Sequence, residues 1–331
     1  MVAGLGSAAA LLLASTALAM PAVNAPRQDA ACDAKAALPT NVNQKTLPDP
    51  FKFWDGSTTA TLSASVSKPA GGGPSGAVIA YGFPSVNVPS NVATITFSND
   101  QFGAQQGGNS RGQGAFYTLF GSDHSAGALT AWAWGVGRIM DALEQLGAET
   151  TGIDPTRVAV TGCSRNGKGA FIAGALEKRI ALTIPQESGS GGAACWRIAD
   201  DEKAKGKNIQ HAGQIVGENV WFSTRFNAWT SKINQDPNDI DWLGPVAITG
   251  CMQAGQLIYK ALGVAEHMGL SLVGGHNHCQ FPGNQNDEIN QFWDYFINGG
   301  TTKPAVISKS TATVNVAEWA PWDIPTITGE W

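Results

Sequence analysis

The chain has 331 residues, with 43% hydrophobic and 14% charged residues and a formal net charge of −5. This is enough apolar material for one large domain or two small ones, and it excludes a disordered chain. There is no basic patch of the kind nucleic-acid binding demands. The 40 glycines and 11 tryptophans in so weakly charged a chain suit a neutral or sugar-like substrate.

Residues 1–19 combine an apolar stretch of small side chains with the ending Ala17-Leu18-Ala19, and they are read as a secretory signal peptide although no Lys or Arg precedes the apolar run. A membrane anchor is the alternative, but the run is short for one, and no later segment is long and apolar enough to span a bilayer. Residues 20–46 form an exposed lead-in, and residues 47–331 one catalytic domain. The expected location is extracellular, where disulfides persist. Five cysteines (Cys32, Cys163, Cys195, Cys251 and Cys279) allow two bridges with one thiol left over, and there is no N-x-S/T sequon.

Strands are predicted at Gly76–Tyr81, Val92–Phe97, Arg157–Thr161, Ala181–Ile184 and Leu270–Val273. Helices are predicted at Ala131–Leu146, Lys168–Lys178, Ala254–Leu262 and Asp287–Phe296. Strands alternating with helices argue for an α/β fold with a mainly parallel sheet covered on both faces. The Gly/Pro-rich patch Pro69–Pro74 is read as a surface turn.

The stretch VAVTGCSRNGKGAFIAGAL, residues 158–176, permits two readings. As G-x-x-x-x-G-K it approaches a phosphate-binding P-loop, but that loop needs Ser or Thr after the lysine, and here the residue is Gly169. As a strand, a sharp turn and a helix, it presents Ser164 the way an esterase presents its nucleophile, with the Arg165 N–H facing a developing oxyanion. The second glycine falls one place later than in G-x-S-x-G, so a glycine-rich turn with an ordinary serine stays open on this motif alone.

A serine nucleophile requires an acid and then a histidine further along the chain. Glu187 follows the strand at Ala181–Ile184, and a loop carboxylate capping a turn is its plain alternative. His276-Asn277-His278-Cys279 follows the strand at Leu270–Val273. That cluster also permits a zinc reading, unless Cys279 is bridged to Cys163, which would remove the thiolate.

The segments GSDHSAGALTAWAWGVGRIMDALE, VAVTGCSRNGKGAFIAGALEKRIALTIPQESGSGGAACWR, IVGENVWFS, DIDWLGP and HMGLSLVGGHNHCQFP resemble the fungal glucuronoyl esterases, carbohydrate esterase family 15, from about Leu47 onward. The resemblance implies an α/β-hydrolase with a three-layer αβα sandwich. The activity it implies is metal- and cofactor-free hydrolysis of the ester between 4-O-methyl-D-glucuronic acid of glucuronoxylan and lignin alcohols, by a monomer. It makes Ser164 the nucleophile, Glu187 the acid, His278 the base and Arg165 part of the oxyanion hole. Lys168, Gln210, Glu218 and Trp242 match positions that bind the glucuronate, and the implied disulfides are Cys163–Cys279 and Cys195–Cys251. Without the resemblance, Arg165 and Lys168 read as a solvated basic pair and Trp242 as a core tryptophan. His124, His211 and His267 are read as structural.

Two family segments are missing from the chain. One follows LPDPFKFWDG and leaves Cys32 without its partner. The other lies between Trp229 and Asp239, where a helix and a sheet strand are expected, so the sheet is expected to lack a strand. Two alternatives to the glucuronoyl esterase stay open at this point: another secreted carbohydrate esterase, acting on acetyl or feruloyl esters, and an inactive carbohydrate-binding remnant.

Overall fold

Six strands lie in the spatial order β1 (Ala9–Ala14), β2 (Thr61–Ser67), β4 (Ala93–Phe97), β3 (Ser75–Tyr81), β5 (Ile153–Cys163) and β6 (Ile180–Gln186). The computed structural model describes residues 9–14, 58–71, 73–218, 220–224, 243–324 and 327. The pairs β3–β4, β3–β5 and β5–β6 are parallel, whereas β1–β2 and β2–β4 are antiparallel. From Gly76 to Tyr81 every residue of β3 is buried, as expected of a parallel strand covered on both faces. Strand β2 alternates exposed and buried residues, which suits a strand with one wet face.

Side-chain alternation along the strands divides the core in two. Ile79, Ile95, Val158 and Val160 face one cluster with Trp132, Val136, Ile139 and Met140 of α2 (Ala128–Thr151). A short helix, α1 (Ala115–Phe120), precedes α2, and α3 (Arg165–Leu176) adds Ala170 and Ala173 to the same side. Val78 and Ala159 face the other way, against Trp293 and Ile297. The buried Trp132 indole donates to Gly103 O at 2.6 Å.

The remaining helices are α4 (Trp196–Ala204), α5 (Ala212–Glu218), α6 (Pro245–Ala261), α7 (Asn286–Phe292) and α8 (Val316–Trp319). The helix predicted over Ala131–Leu146 ends against Gly147, whose φ of 76° interrupts α2 before a last helical stretch. The helix predicted over Asp287–Phe296 becomes α7 followed by a π turn at Trp293–Ile297, which carries Trp293 and Ile297 into the core. The patch at Pro69–Pro74 is an exposed turn at its described positions.

Two observations bear on the expected departures from a full sheet. Strands β7 (Leu270–Ser271) and β8 (Ser308–Lys309) pair with each other in a separate two-stranded ladder. Among the described residues β6 is therefore the last strand of the main sheet, and all seven of its residues are only half-buried. The connection expected to lack a strand, at 229–239, lies outside the described residues, as does Cys32. The leader reading sets residues 1–19 apart from the fold, whereas Ala9–Ala14 pairs here with β2 as the outermost strand. That pairing adds nothing to the side of the sheet that carries the site.

Candidate active site

Ser164 stands between β5 and α3 with φ 58° and ψ −125°. Such a left-handed backbone is costly for a residue with a Cβ, and here the surroundings hold it. The Ser164 N–H donates to Gln186 O at 3.0 Å, and its carbonyl accepts the Lys168 N–H at 3.0 Å. The two flanking glycines explain the spacing of the motif. A Cβ on Gly162 would lie 2.5 Å from Asn166 O, and one on Gly167 would lie 2.4 Å from Gln186 O. The late glycine therefore does what an elbow glycine does: it lets the helix start pack directly on the neighbouring strand.

Glu187 follows β6 with a φ of 43°, and Cys279 follows His278 with a φ of 65°. The carboxylate and the imidazole meet at 2.5 Å between Oε2 and Nδ1. The Cys279 N–H also donates to Oε2, at 2.8 Å. Oε1 accepts from Gln186 Nε2 at 3.2 Å and lies 3.7 Å from His276 Nδ1. Burial on its own would push the Glu187 carboxyl up; the His278 and Cys279 donors and the charge of the two imidazoles outweigh it and hold the carboxyl below its ordinary value.

The Cys163–Cys279 disulfide, Cα–Cα 5.7 Å, ties the residue before Ser164 to the residue after His278. Cys163, Glu187, His278 and Cys279 present their donor atoms within 4.8 Å of one another, but both sulfurs are bound to each other, so neither is a thiolate. Cys195 and Cys251 form the second bridge, Cα–Cα 5.2 Å. His276 directs its ring nitrogens to Asn277 O and Val273 O, both at 3.1 Å. Of the two histidines in the cluster, His278 is the one on the bridge side of Glu187.

A second group of side chains lies one helical turn beyond Ser164. Lys168 is 1% exposed and donates to Ser188 O at 2.5 Å and to Gln210 Oε1 at 3.4 Å. Gln210 Oε1 also accepts the Ser190 N–H at 2.9 Å. Burial lowers the Lys168 ammonium to about 8, against the attraction of Glu218 and with the repulsion of Arg165. Burial raises the Glu218 carboxyl, against the attraction of Lys168 and Arg165. The Arg165 guanidinium sits 5.2 Å from the Trp221 ring centroid, and Lys168 Nζ 5.6 Å from it. Arg165 is exposed with its guanidinium over Trp221, whereas the solvated-pair reading fails for Lys168, whose ammonium the Ser188 carbonyl draws inward.

The structure thus pairs Glu187 with His278, ties both to the Ser164 turn through the Gln186 carbonyl and the Cys163–Cys279 bridge, and gathers Arg165, Lys168, Gln210 and Glu218 beyond that turn. Trp242 lies outside the described residues. Sequence reasoning missed Trp221, the aromatic face beneath the two cations; it lies in the stretch IVGENVW, where no spacing rule marks it. It also missed Ser188, whose carbonyl holds Lys168. His124, His211 and His267 stand apart. His124 accepts the Ala126 N–H, His211 packs near Asp200, and His267 packs against Tyr295 and Phe296.

A mainly parallel sheet flanked by helices, with the conspicuous turn at the carboxyl end of a parallel strand, is the architecture of an α/β-hydrolase. A model of fungal glucuronyl esterases matches residues 52–240. A 4-O-methyl-glucuronoyl methylesterase of Neurospora crassa is 59% identical over 292 residues, 82% of this chain and 74% of its own length. A glucuronoyl esterase of Sporotrichum thermophile, solved as a serine-to-alanine mutant with methyl 4-O-methyl-beta-D-glucopyranuronate, superposes with a TM-score of 0.78. It is 58% identical, over 82% of this chain and 79% of its own. The catalytic domain of the Hypocrea jecorina glucuronoyl esterase gives 0.76 at 46% identity, over 82% and 79%. The chain belongs to the fungal glucuronoyl esterase family, a family of carboxylic ester hydrolases.

Proposed function

We propose that this chain is a secreted serine esterase that cleaves the ester between 4-O-methyl-D-glucuronic acid of glucuronoxylan and the alcohols of lignin. The observation that carries the reading is the 2.5 Å contact between Glu187 and His278, tied to the nucleophile turn through the Cys163–Cys279 bridge. His278 takes the Ser164 proton as the hydroxyl attacks the C6 carbonyl, and Glu187 holds the imidazole tautomer and offsets its cation. The tetrahedral oxyanion faces the Arg165 N–H and guanidinium. The protonated His278 then delivers its proton to the departing alcohol. Water, deprotonated by His278, releases glucuronate and regenerates Ser164.

The acid part of the substrate belongs beside Lys168, Gln210 and Glu218, with Trp242 as a further contact. Secretion is supported by the leader pattern ending at Ala19 and by the cystine that ties the site together. The test is hydrolysis of benzyl D-glucuronate by the purified protein beside Ser164→Ala, with folding checked by circular dichroism. Turnover by the wild type alone is the expected result. A folded wild type without turnover would overturn the reading and leave a binding remnant.

A further inference from the structure

Phe83 is 55% exposed, although it lies in the first turn after β3, a strand buried along almost its whole length. A phenyl ring in water forgoes the gain of burial, and among the described residues no buried or part-buried apolar cluster takes this one in. Its position is specific. Strands β3 and β5 are parallel neighbours, with Ala80 opposite Thr161. Phe83 comes two residues after the end of β3, and Ser164 one residue after the end of β5. Both therefore leave the sheet at the same carboxyl edge on adjacent strands, whose spacing is about 4.8 Å. The two turns also touch: Asn166 Nδ2 donates to Tyr81 O at 3.2 Å, and a Cβ on Gly82 would lie 3.9 Å from the same nitrogen.

Strand β5 has β3 on one side and β6 on the other. The Lys168–Ser188–Gln210 group lies on the β6 side, since Ser188 comes directly after Glu187 at the end of that strand. The Ser164 turn thus lies between a polar, hydrogen-bonding group on the β6 side and, on the β3 side, a turn that carries an exposed phenylalanine. An ester of a sugar acid has the same asymmetry, with hydroxyls on the acyl part and a separate group on the alcohol part. The polar wall suits the acid, which leaves the alcohol for the ring.

We propose that Phe83 is a specificity-determining residue on the alcohol side of the ester, offering the face on which an aromatic leaving alcohol stacks. The proposal rests on the glucuronoyl esterase reading given above. Aromatic pairs prefer offset or edge-to-face contact and discriminate against a methyl group, which has no ring to place there.

The experiment compares kcat/KM for benzyl and for methyl D-glucuronate in wild type, Phe83→Ala, Phe83→Leu and Phe83→Tyr. The benzyl-to-methyl ratio is expected to fall roughly two- to tenfold in the alanine and leucine variants and to be retained in the tyrosine variant. An unchanged ratio in Phe83→Ala overturns the proposal, including the case where both esters slow equally, which marks a structural role. Full recovery by leucine overturns the aromatic contact in favour of plain apolar bulk. A folded wild type that cleaves neither ester overturns the esterase reading and this proposal together, an outcome distinct from an unchanged ratio.

Discussion

Both oxygens of the Glu187 carboxylate are committed, Oε2 to the His278 ring and the Cys279 N–H, and Oε1 to Gln186 with His276 behind it. Glu187→Gln turns one acceptor into a donor that must face one of these N–H groups, and kcat is expected to fall about 10²–10⁴-fold at neutral pH with the fold retained. His278→Ala is expected to cost on the order of 10³-fold in kcat, and His276→Ala less than about tenfold; equal losses would contradict the assignment of the base. The native Glu187 carboxyl lies below its unfolded value, so its contribution to stability is complete above the unfolded value, about 4.3, and is lost as pH falls through the native one. Melting scans between about pH 5 and about pH 3 should therefore show the wild type losing Tm more steeply than Glu187→Gln. Lys168 behaves the opposite way. Its ammonium, lowered to about 8, is lost as pH rises through that value, so KM for glucuronate esters should climb above pH 8, and Lys168→Met should start higher and lack the climb. Ser164 and Glu187 were legible because each sits in a glycine-rich turn directly after a strand. The inward turn of Lys168 was not, because it depends on the carbonyl of Ser188, 20 residues away along the chain.

At the level of elements, the central strands could be read from composition alone. Runs such as GAVIAY and ATITF are apolar and β-branched, and their neighbours cover both faces. Strand β7 was read two residues too long: it ends at Ser271, with one further bond from the Leu272 N–H to Lys309 O at 2.8 Å. Helices α4 and α5 escaped because they are short, nine and seven residues, and span too few turns for a period to stand out; α4 is fixed partly by the cystine to α6 and by Ile198 and Ala199 in the second core cluster. The bridge between the β5–α3 turn and the His278 loop closes 116 residues of sequence. Cys163→Ser/Cys279→Ser is expected to lower unfolding free energy by about 2–5 kcal/mol in denaturant titrations, and to lower kcat as the histidine loop loses its tether. Gly167→Ala should destabilise by about 1–3 kcal/mol, because its methyl would meet the Gln186 carbonyl and the helix start would have to shift.

Across the molecule, the division between the main sheet and the β7–β8 ladder separates two carriers of the site. Ser164 and Glu187 ride on strands of the main sheet, whereas His278 follows β7. The alternation of elements made the fold class legible. Half-burial along all of β6, against near-complete burial of β3, predicts that native-state hydrogen exchange is faster in β6 than in β3; equal protection would show that β6 is covered as an inner strand is. The cystine at the site acquires a further meaning from this division. Where two ladders are not stitched by backbone pairing, a covalent link holds the Ser164 turn and the His278 loop together. Assembly of the catalytic apparatus then becomes an oxidation event as well as a folding event. A chain kept under reducing conditions would have its apolar core and lack the tie between the Ser164 turn and the His278 loop.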